Sequence, residues 1–270
     1  GFQQVGMGAA ANQIAVIQHQ NAVRTLHSGS TLGNNKYRHA GNTYEIGQHG
    51  FARDMDFKLT YKEDKGAVYW LESTPDTLGK FPFPFRLLVG YLLEENKITV
   101  KWRVENLGAM DMYFQIGAHP AFYFPEFDAA TKDRGFFVFD RKSDLEYIMP
   151  TEKGCVSPER HVLKLNKEGL MPIDIHTFDC DTYIFDNKQL KKITLLDKKK
   201  KPHISLEFNS PLVALWSPTK THPDCPFVCI EPWYGRCDSV GYSGELKDRE
   251  WIQKLEPKET FDVEYKIIIE

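Results

Sequence analysis

Strict alternation of apolar and polar residues is the feature that most restricts how this chain can fold. The segment KITVKWRVEN, residues 97–106, repeats an apolar residue at every second position, and residues 203–208 and 261–269 do the same. A repeat of two residues puts neighbouring side chains on opposite faces of a strand, one face buried and the other exposed to solvent. Strands of parallel sheets tend to be apolar on both faces, so these patterns indicate antiparallel sheets.

Short polar breaks separate the alternating segments. The break EENK at residues 94–97 predicts a hairpin, and Asp186–Asn187 and Asp197–Lys198 predict further turns. Almost no segment has a helical period over ten or more residues. We therefore predict an all-β fold, one large antiparallel β-sandwich domain over residues 1–270 with few short helices. Residues 1–35 alternate little, and we expect them to be atypical or poorly ordered.

The charge balance favours a small-molecule partner. The net charge is -3, from 34 basic and 37 acidic residues, which leaves no basic surface for nucleic acid or an anionic membrane. The basic run Lys198–Lys201 is interpreted as a solvated turn between two strands. No apolar run reaches the ~18 residues needed to span a membrane.

The five cysteines predict free thiols. Their number is odd and no signal peptide is recognisable, which favours a reducing compartment, the cytoplasm, over a disulfide framework. The spacing of Cys225, Cys229 and Cys237 misses the usual CxxC pattern of zinc knuckles. We therefore expect no metal site.

Four segments combine ionisable groups with Gly or Pro: residues 48–57, 116–125, 178–187 and 229–239. Glu231 is the strongest candidate for a general base. It follows an apolar run that predicts a buried strand, and Pro232 restricts it to an extended backbone. A carboxylate partly stripped of water becomes a useful base near neutral pH. The alternative is a surface glutamate at a strand end. The adjoining Trp233, Tyr234 and Gly235 favour the first, since aromatic rings beside a carboxylate are typical of sugar sites.

His119 lies in IGAHPAFYFP, between the small residues Gly117 and Ala118 and the following Pro120. It is either a core histidine with both nitrogens satisfied, which its local sequence favours, or a proton donor facing an aromatic wall. His49 and Arg53 are either an ordinary strand-to-loop transition or fixed donors for hydroxyl or phosphate oxygens. Asp179 and Asp181 are turn formers, with Asp181 the better functional candidate because it adjoins an apolar strand.

The motifs HGFARD, GAHPAF and EPWYGRCD, taken in this order, resemble those of the aldose 1-epimerase (galactose mutarotase) superfamily, most closely its LacX-like branch. The similarity runs from about residue 36 to the C-terminus. It implies a large antiparallel β-supersandwich, with His119 as general acid and Glu231 as general base. His49, Arg53, Asp181 and Trp233 would contact the sugar.

The implied chemistry suits these residue types. A base removes the proton of the anomeric hydroxyl while an acid protonates the ring oxygen, so the ring opens and can reclose to the other anomer. The two groups are expected on opposite sides of the sugar, and no metal or redox cofactor is required. The partner would be an aldohexose such as glucose or galactose, and the oligomeric state, including a homodimer, stays open.

One segment departs from the family pattern. Family members carry an APxLFPxxG-like segment upstream of HGFAR, where this chain reads NAVRTLHSGSTLGNNKY, residues 21–37. Missing first strands, divergence and a reading-frame error all remain open. The altered segment favours one alternative to a mutarotase of free sugars, a non-catalytic sugar-binding protein. A second alternative is a hexose-6-phosphate mutarotase, in which Arg53 and Arg236 would bind the phosphate.

Overall fold

The structure, a computed structural model, describes the backbone of residues 24–25 and all atoms of residues 36–47, 49–151 and 154–270. The expectation for residues 1–35 falls outside these residues, except at the two residues of the first strand.

Strands dominate the described residues, with one short α-helix, α1 (Pro75–Lys80), and 3-10 turns at 52–54, 218–220 and 246–248. The strands are β1 (Arg24–Thr25), β2 (Lys36–His39), β3 (Asn42–Glu45), β4 (Lys58–Glu63), β5 (Gly66–Glu72), β6 (Phe85–Glu94), β7 (Lys97–Asn106), β8 (Met112–Phe114), β9 (Ile116–Gly117), β10 (Ala121–Tyr123), β11 (Asp133–Phe139), β12 (Leu145–Tyr147), β13 (His161–Leu163), β14 (Leu170–Asp174), β15 (Tyr183–Phe185), β16 (Lys192–Leu196), β17 (Pro202–Phe208), β18 (Leu212–Trp216), β19 (Phe227–Tyr234), β20 (Gln253–Leu255) and β21 (Thr260–Ile269).

The larger sheet is antiparallel and has nine strands in the described part of the chain, in the order β14-β11-β16-β17-β21-β7-β6-β5-β4. Its centre contains the strands that alternation predicted, β7, β17 and β21. The break at residues 94–97 joins β6 to β7 in register, so the predicted hairpin is confirmed. The turn at Asp197 is confirmed too: its Oδ1 accepts hydrogen bonds from the backbone N–H groups of Lys199 and Lys201.

Six strands of the smaller sheet lie among the described residues, in the order β1-β9-β19-β18-β15, with β10 also paired to β19. All its pairings are antiparallel. Two-stranded sheets, β12-β13, β2-β3 and β20-β8, complete the described architecture. The predicted all-β antiparallel sandwich with few short helices is confirmed.

The main core lies between the two large sheets. Trp102 of β7 and Tyr234 of β19 meet with their ring centroids 6.4 Å apart. Val228 and Ile230 of β19 belong to the same buried cluster as Trp102. Residues two apart on a strand share a face, so Cys229, Glu231 and Trp233 lie on the opposite face of β19, where a smaller apolar cluster includes Trp233.

Candidate active site

His119 and Glu231 lie opposite each other because of strand register. On one side of His119, Gly117 pairs with Trp233, and on the other side Ala121 pairs with Cys229. Both pairs follow the same antiparallel register, which aligns His119 with Glu231 across the gap between β9 and β10. Directly paired residues place their side chains on the same face of a sheet. The register alone therefore brings the two predicted proton-transfer groups together.

Two prolines interrupt the ladder at this point. The N–H of Ala118 donates to the carbonyl of Pro232 at 3.0 Å, and the N–H of Ile230 donates to the carbonyl of Pro120 at 3.3 Å. Neither proline can return a second hydrogen bond, because proline has no N–H. His119 and Glu231 lie between these two pairs. They thus form a non-hydrogen-bonded cross-strand pair, the kind in which side chains approach most closely.

The side chains of the pair are in contact. Nδ1 of His119 is 3.0 Å from Oε1 of Glu231, with the histidine side chain 22% exposed and the glutamate side chain 1% exposed. The structure differs from the expectation in two ways. Glu231 lies inside β19 rather than at the end of a strand, which rules out the surface-glutamate alternative. The two groups also touch each other, where we expected them on opposite sides of a sugar.

Trp233 holds the backbone beside His119. Its indole N–H donates to the carbonyl of Ala118 at 3.2 Å, and thereby replaces the donor that Pro232 lacks. The ring lies across Gly117, where an added Cβ would be 2.6 Å from Cδ1 of the indole. Trp233 is therefore a buried positioning group in this structure, and its predicted contact with a sugar stays a prediction.

Two further rings surround His119. The ring centroids of His49 and His119 are 6.3 Å apart, so the HGFARD motif does reach the histidine of GAHPAF. His49 has a φ of 69° and Gly50 a φ of 71°. Left-handed backbone at a residue other than glycine is uncommon and often marks a functional constraint. The second ring, Trp216 of β18, lies 5.6 Å from His119 and was not predicted.

The remaining predicted sugar contacts lie at the surface. The guanidinium of Arg53 is exposed, with Nε 3.5 Å from Oδ2 of Asp54. Asp181 has a φ of 93°, and its Oδ1 accepts hydrogen bonds from the N–H and hydroxyl of Thr182. It precedes β15, which β18 separates from β19. Asp179 instead pairs with His176 at 2.9 Å. The roles of Arg53 and Asp181 stay predictions.

Cys229 joins the pair on the same face. The ligating atoms of His119, Cys229 and Glu231 all lie within 4.8 Å of one another, and no other group of three such residues occurs in the described part of the chain. The set considered from spacing, Cys225, Cys229 and Cys237, does not form such a group. All five cysteines lie in the described part of the chain, and none forms a disulfide there.

Comparison with known proteins identifies the family. The family model described as aldose 1-epimerase matches residues 8–250. The chain belongs to this family. The matched span begins upstream of residue 36, where we had placed the start of the resemblance.

Two relatives and two solved structures illustrate the similarity. The plasmid and chromosomal forms of protein LacX from Lactococcus lactis subsp. lactis are each 26% identical to this chain over 228 residues, which are 83% of this chain and 75% of each relative. A galactose mutarotase related enzyme from Lactobacillus acidophilus superimposes with a TM-score of 0.80 at 26% identity, covering 90% of this chain and 80% of that one. A galactose mutarotase-like protein from Lactobacillus casei gives 0.79 at 24% identity, covering 92% and 84%, which shows the fold alone.

Among the described residues, every helix is too short or too polar to cross a lipid bilayer.

Proposed function

We propose that this protein is a mutarotase that interconverts the α and β anomers of a free aldohexose such as glucose or galactose. The observation that carries the proposal is the contact between His119 and Glu231, a buried carboxylate 3.0 Å from an imidazole that is partly open to solvent. A carboxylate removed from water is costly unless a cation or hydrogen-bond donor compensates it. An imidazolium at His119 provides both, through its Nδ1–H.

The proposed reaction moves two protons. Glu231 accepts the proton of the anomeric hydroxyl, while Nε2 of His119 donates a proton to the ring oxygen. The bond between C1 and the ring oxygen breaks and the C1 carbonyl forms, giving the open-chain aldehyde. Rotation about the C1–C2 bond and the reverse transfers then close the ring to the other anomer.

The contact between the two residues suits this cycle. Before ring opening the pair is an imidazolium and a carboxylate, and afterwards it is a neutral imidazole and a carboxylic acid. The sum of their charges is zero in both states, so the buried site never holds an uncompensated charge. Nδ1 stays directed at Glu231 throughout, which fixes the orientation of the ring.

His49, Arg53, Asp181 and Trp233 are proposed to hold the sugar. Fixed donors and acceptors around the hydroxyl groups would align both proton transfers, which is how orientation contributes to catalysis. His49 is supported by its position beside His119. The other assignments rest on the family resemblance.

The position of Arg236 favours free sugars over sugar phosphates. Arg236 is buried, its Nη1 donates to the carbonyl of Cys237 at 2.7 Å, and its guanidinium pairs with Glu250. Of the two arginines considered for a phosphate, only Arg53 is thus exposed. Free phosphate is expected not to inhibit the protein, and inhibition by it would favour the hexose-6-phosphate alternative.

The decisive experiment measures anomer exchange on freshly dissolved α-glucose and α-galactose by polarimetry or NMR. The protein should accelerate equilibration, and His119→Ala and Glu231→Gln should each lower kcat by ~10²–10⁴-fold. Glu207→Gln, on β17 of the other sheet, is the matched control and should keep full activity.

Sugar binding separates the enzyme from a binding protein. Glu231→Gln keeps the shape of the side chain and should bind sugar nearly as well as the wild type. Equal binding without acceleration by either protein would refute the enzyme and support the non-catalytic alternative.

A further inference from the structure

Cys229 shares a face of the sheet with the proton-transfer pair. It precedes Glu231 by two residues on β19, so both side chains project from the face that carries His119. Its partner on β18 is Trp216, whose ring also packs against His119. The side chain of Cys229 is fully buried. The proposed proton transfers do not use this thiol.

We infer that the group of His119, Cys229 and Glu231 is a binding site for a soft divalent cation, with Zn²⁺ the best fit. The three residues offer an imidazole nitrogen, a sulfur and a carboxylate oxygen, all within 4.8 Å of one another. Ligands of a tetrahedral zinc ion lie about 3.5 Å apart, because the metal–ligand bonds are roughly 2.0–2.3 Å long. The observed atoms thus need to approach one another by at most about 1.3 Å.

The chemistry of the donors selects the ion. A thiolate and an imidazole prefer zinc and similar metals, whereas magnesium and calcium prefer sets made of oxygen alone. Three protein ligands leave a fourth position for water, as in open zinc sites. The thiol of Cys229 releases its proton to solvent when the metal binds, since the thiolate is the ligand.

Bound zinc would block mutarotation. The ion would occupy a lone pair on His119 and one on Glu231, the groups proposed to transfer protons to and from the sugar. This consequence rests on the proposed function, but the binding of the metal does not. Zinc is therefore an inhibitor in this scheme and not a cofactor.

Direct metal titration tests the site without reference to activity. The full chain, freed of metal with a chelator, is titrated with Zn²⁺ by calorimetry and with Co²⁺ by absorption spectroscopy, where a thiolate ligand gives a charge-transfer band. We expect one equivalent of metal and a thiolate band. Cys229→Ser should lose the band and weaken Zn²⁺ binding by at least about tenfold.

Cys225→Ser is the matched control, because Cys225 is also buried but its sulfur faces Ser217 and the carbonyl of Phe227. It should bind both metals like the wild type. Equal binding by the two variants would overturn the inference, and so would the absence of binding in the wild type. If Cys229→Ser does not fold, His119→Ala takes its place in the same titration.

An activity measurement keeps the two proposals apart. Micromolar Zn²⁺ should abolish mutarotation by the wild type, a chelator should restore it, and the mutarotation that Cys229→Ser retains should resist the metal. Stoichiometric binding to a protein that never accelerates anomer exchange would support the metal site and refute the mutarotase. A protein that catalyses mutarotation but neither binds Zn²⁺ nor is inhibited by it would support the mutarotase and refute the metal site.

Discussion

The strands β7 and β19 occupy similar central places in their sheets but are built differently. β7 pairs along its whole length with β6 on one side and with β21 on the other. β19 has an unbroken partner only in β18, and on its other side two short strands leave a gap at His119. The regular strand contributes a core face, and the interrupted strand contributes the candidate active site.

This difference between the two strands shows which positions of a sheet can carry reactive side chains. A continuous ladder uses every backbone group and lets polar side chains point to solvent, as Lys101 and Arg103 do on β7. At β19 the ladder lacks two hydrogen bonds, because Pro232 on the strand and Pro120 on the facing segment have no N–H, and Trp233 supplies one donor in their place. The residues from Val228 to Tyr234 are all buried. Glu231 is thus desolvated yet still able to meet His119.

The largest expected difference concerns two ion pairs. Arg249 and Asp238, which follows β19, are 3.0 Å apart with side chains 1% and 3% exposed. Above about pH 7, where the Asp238 carboxyl is ionised in the wild type, Arg249→Met removes the cation beside this buried carboxylate and should lower the free energy of unfolding by up to about 3–5 kcal/mol. Denaturant unfolding measures this cost.

Arg103→Met is the control on β7. Arg103 is 2.7 Å from Asp262, but both side chains are about half exposed. Exposed pairs contribute about 0.2–1 kcal/mol, so this variant should remain close to the wild type. Equal losses of unfolding free energy in the two variants would show that the buried ion pair near β19 stabilises the fold no more than the exposed pair on β7.

The next largest expected effect on stability concerns one glycine beside each of the two strands. Gly117 is the partner of Trp233 on β19, and a Cβ there would be 2.6 Å from the indole. We expect Gly117→Ala to cost about 1–3 kcal/mol through overpacking. It should also slow mutarotation, because the displaced indole no longer holds Ala118. Thermal unfolding and anomer exchange measure the two effects.

Gly90→Ala is the matched substitution beside β7. Gly90 pairs with Lys101, and an added Cβ there would make only ordinary contacts of 3.6 Å and 3.7 Å. A glycine in a strand costs roughly 0.5–1 kcal/mol relative to alanine. Gly90→Ala should therefore be neutral or stabilising, and a loss of stability as large as that of Gly117→Ala would contradict the comparison.

The regular strand could be predicted from the sequence, and the site could be predicted only in part. Alternation identified β7 because its buried apolar residues Val100, Trp102 and Val104 share one face, which packs in the main core. The same reasoning ended β19 at Glu231, because the pattern around Pro232 is not that of a strand. The strand continues because β18 pairs with it as far as Trp233, and the indole of Trp233 gives the carbonyl of Ala118 the hydrogen bond that Pro232 cannot donate.

The contacts of the site depend on the register between paired strands, which cannot be deduced from a local sequence pattern. The sequence around His119 favoured a core histidine, and only the family resemblance joined it to Glu231. Trp216 and Cys229 were missed as neighbours of His119 for the same reason. Trp216 ends β18 and Cys229 lies inside β19, two residues before Glu231, but neither position marks a neighbour of His119. Pairing between β18, β19 and β10 is what brings them together.

The pH dependence of stability should come from the region after β19. Burial raises the pKa of Asp238 from 3.8 to about 7, against the opposing effect of the Arg249 and Arg236 guanidiniums. Between these values the folded state holds a proton that the unfolded state has lost. The contribution of Asp238 to stability is therefore complete below about pH 4 and falls as pH rises to about 7, by at most about 1.4 kcal/mol per pH unit.

Asp238→Asn removes this titration. Urea unfolding between about pH 5 and about pH 7 should show a less negative slope of stability against pH in the variant than in the wild type. Asp262→Asn, in the exposed pair of β21, leaves Asp238 intact and should keep the wild-type slope. An unchanged slope in Asp238→Asn would assign the pH dependence to other groups.

The smallest expected effect compares the tryptophans of the two strands. Trp233→Phe and Trp102→Phe remove similar ring area from buried positions. Only Trp233 donates to the carbonyl of Ala118, so its variant should be less stable than the other by about 1 kcal/mol, the net contribution of one hydrogen bond. It should also lower kcat, because the peptide before His119 loses its anchor, whereas Trp102→Phe should leave kcat unchanged. If both variants lose stability and activity equally, the indole of Trp233 is only a packing group, and the broken ladder needs no substitute donor to place His119 against Glu231.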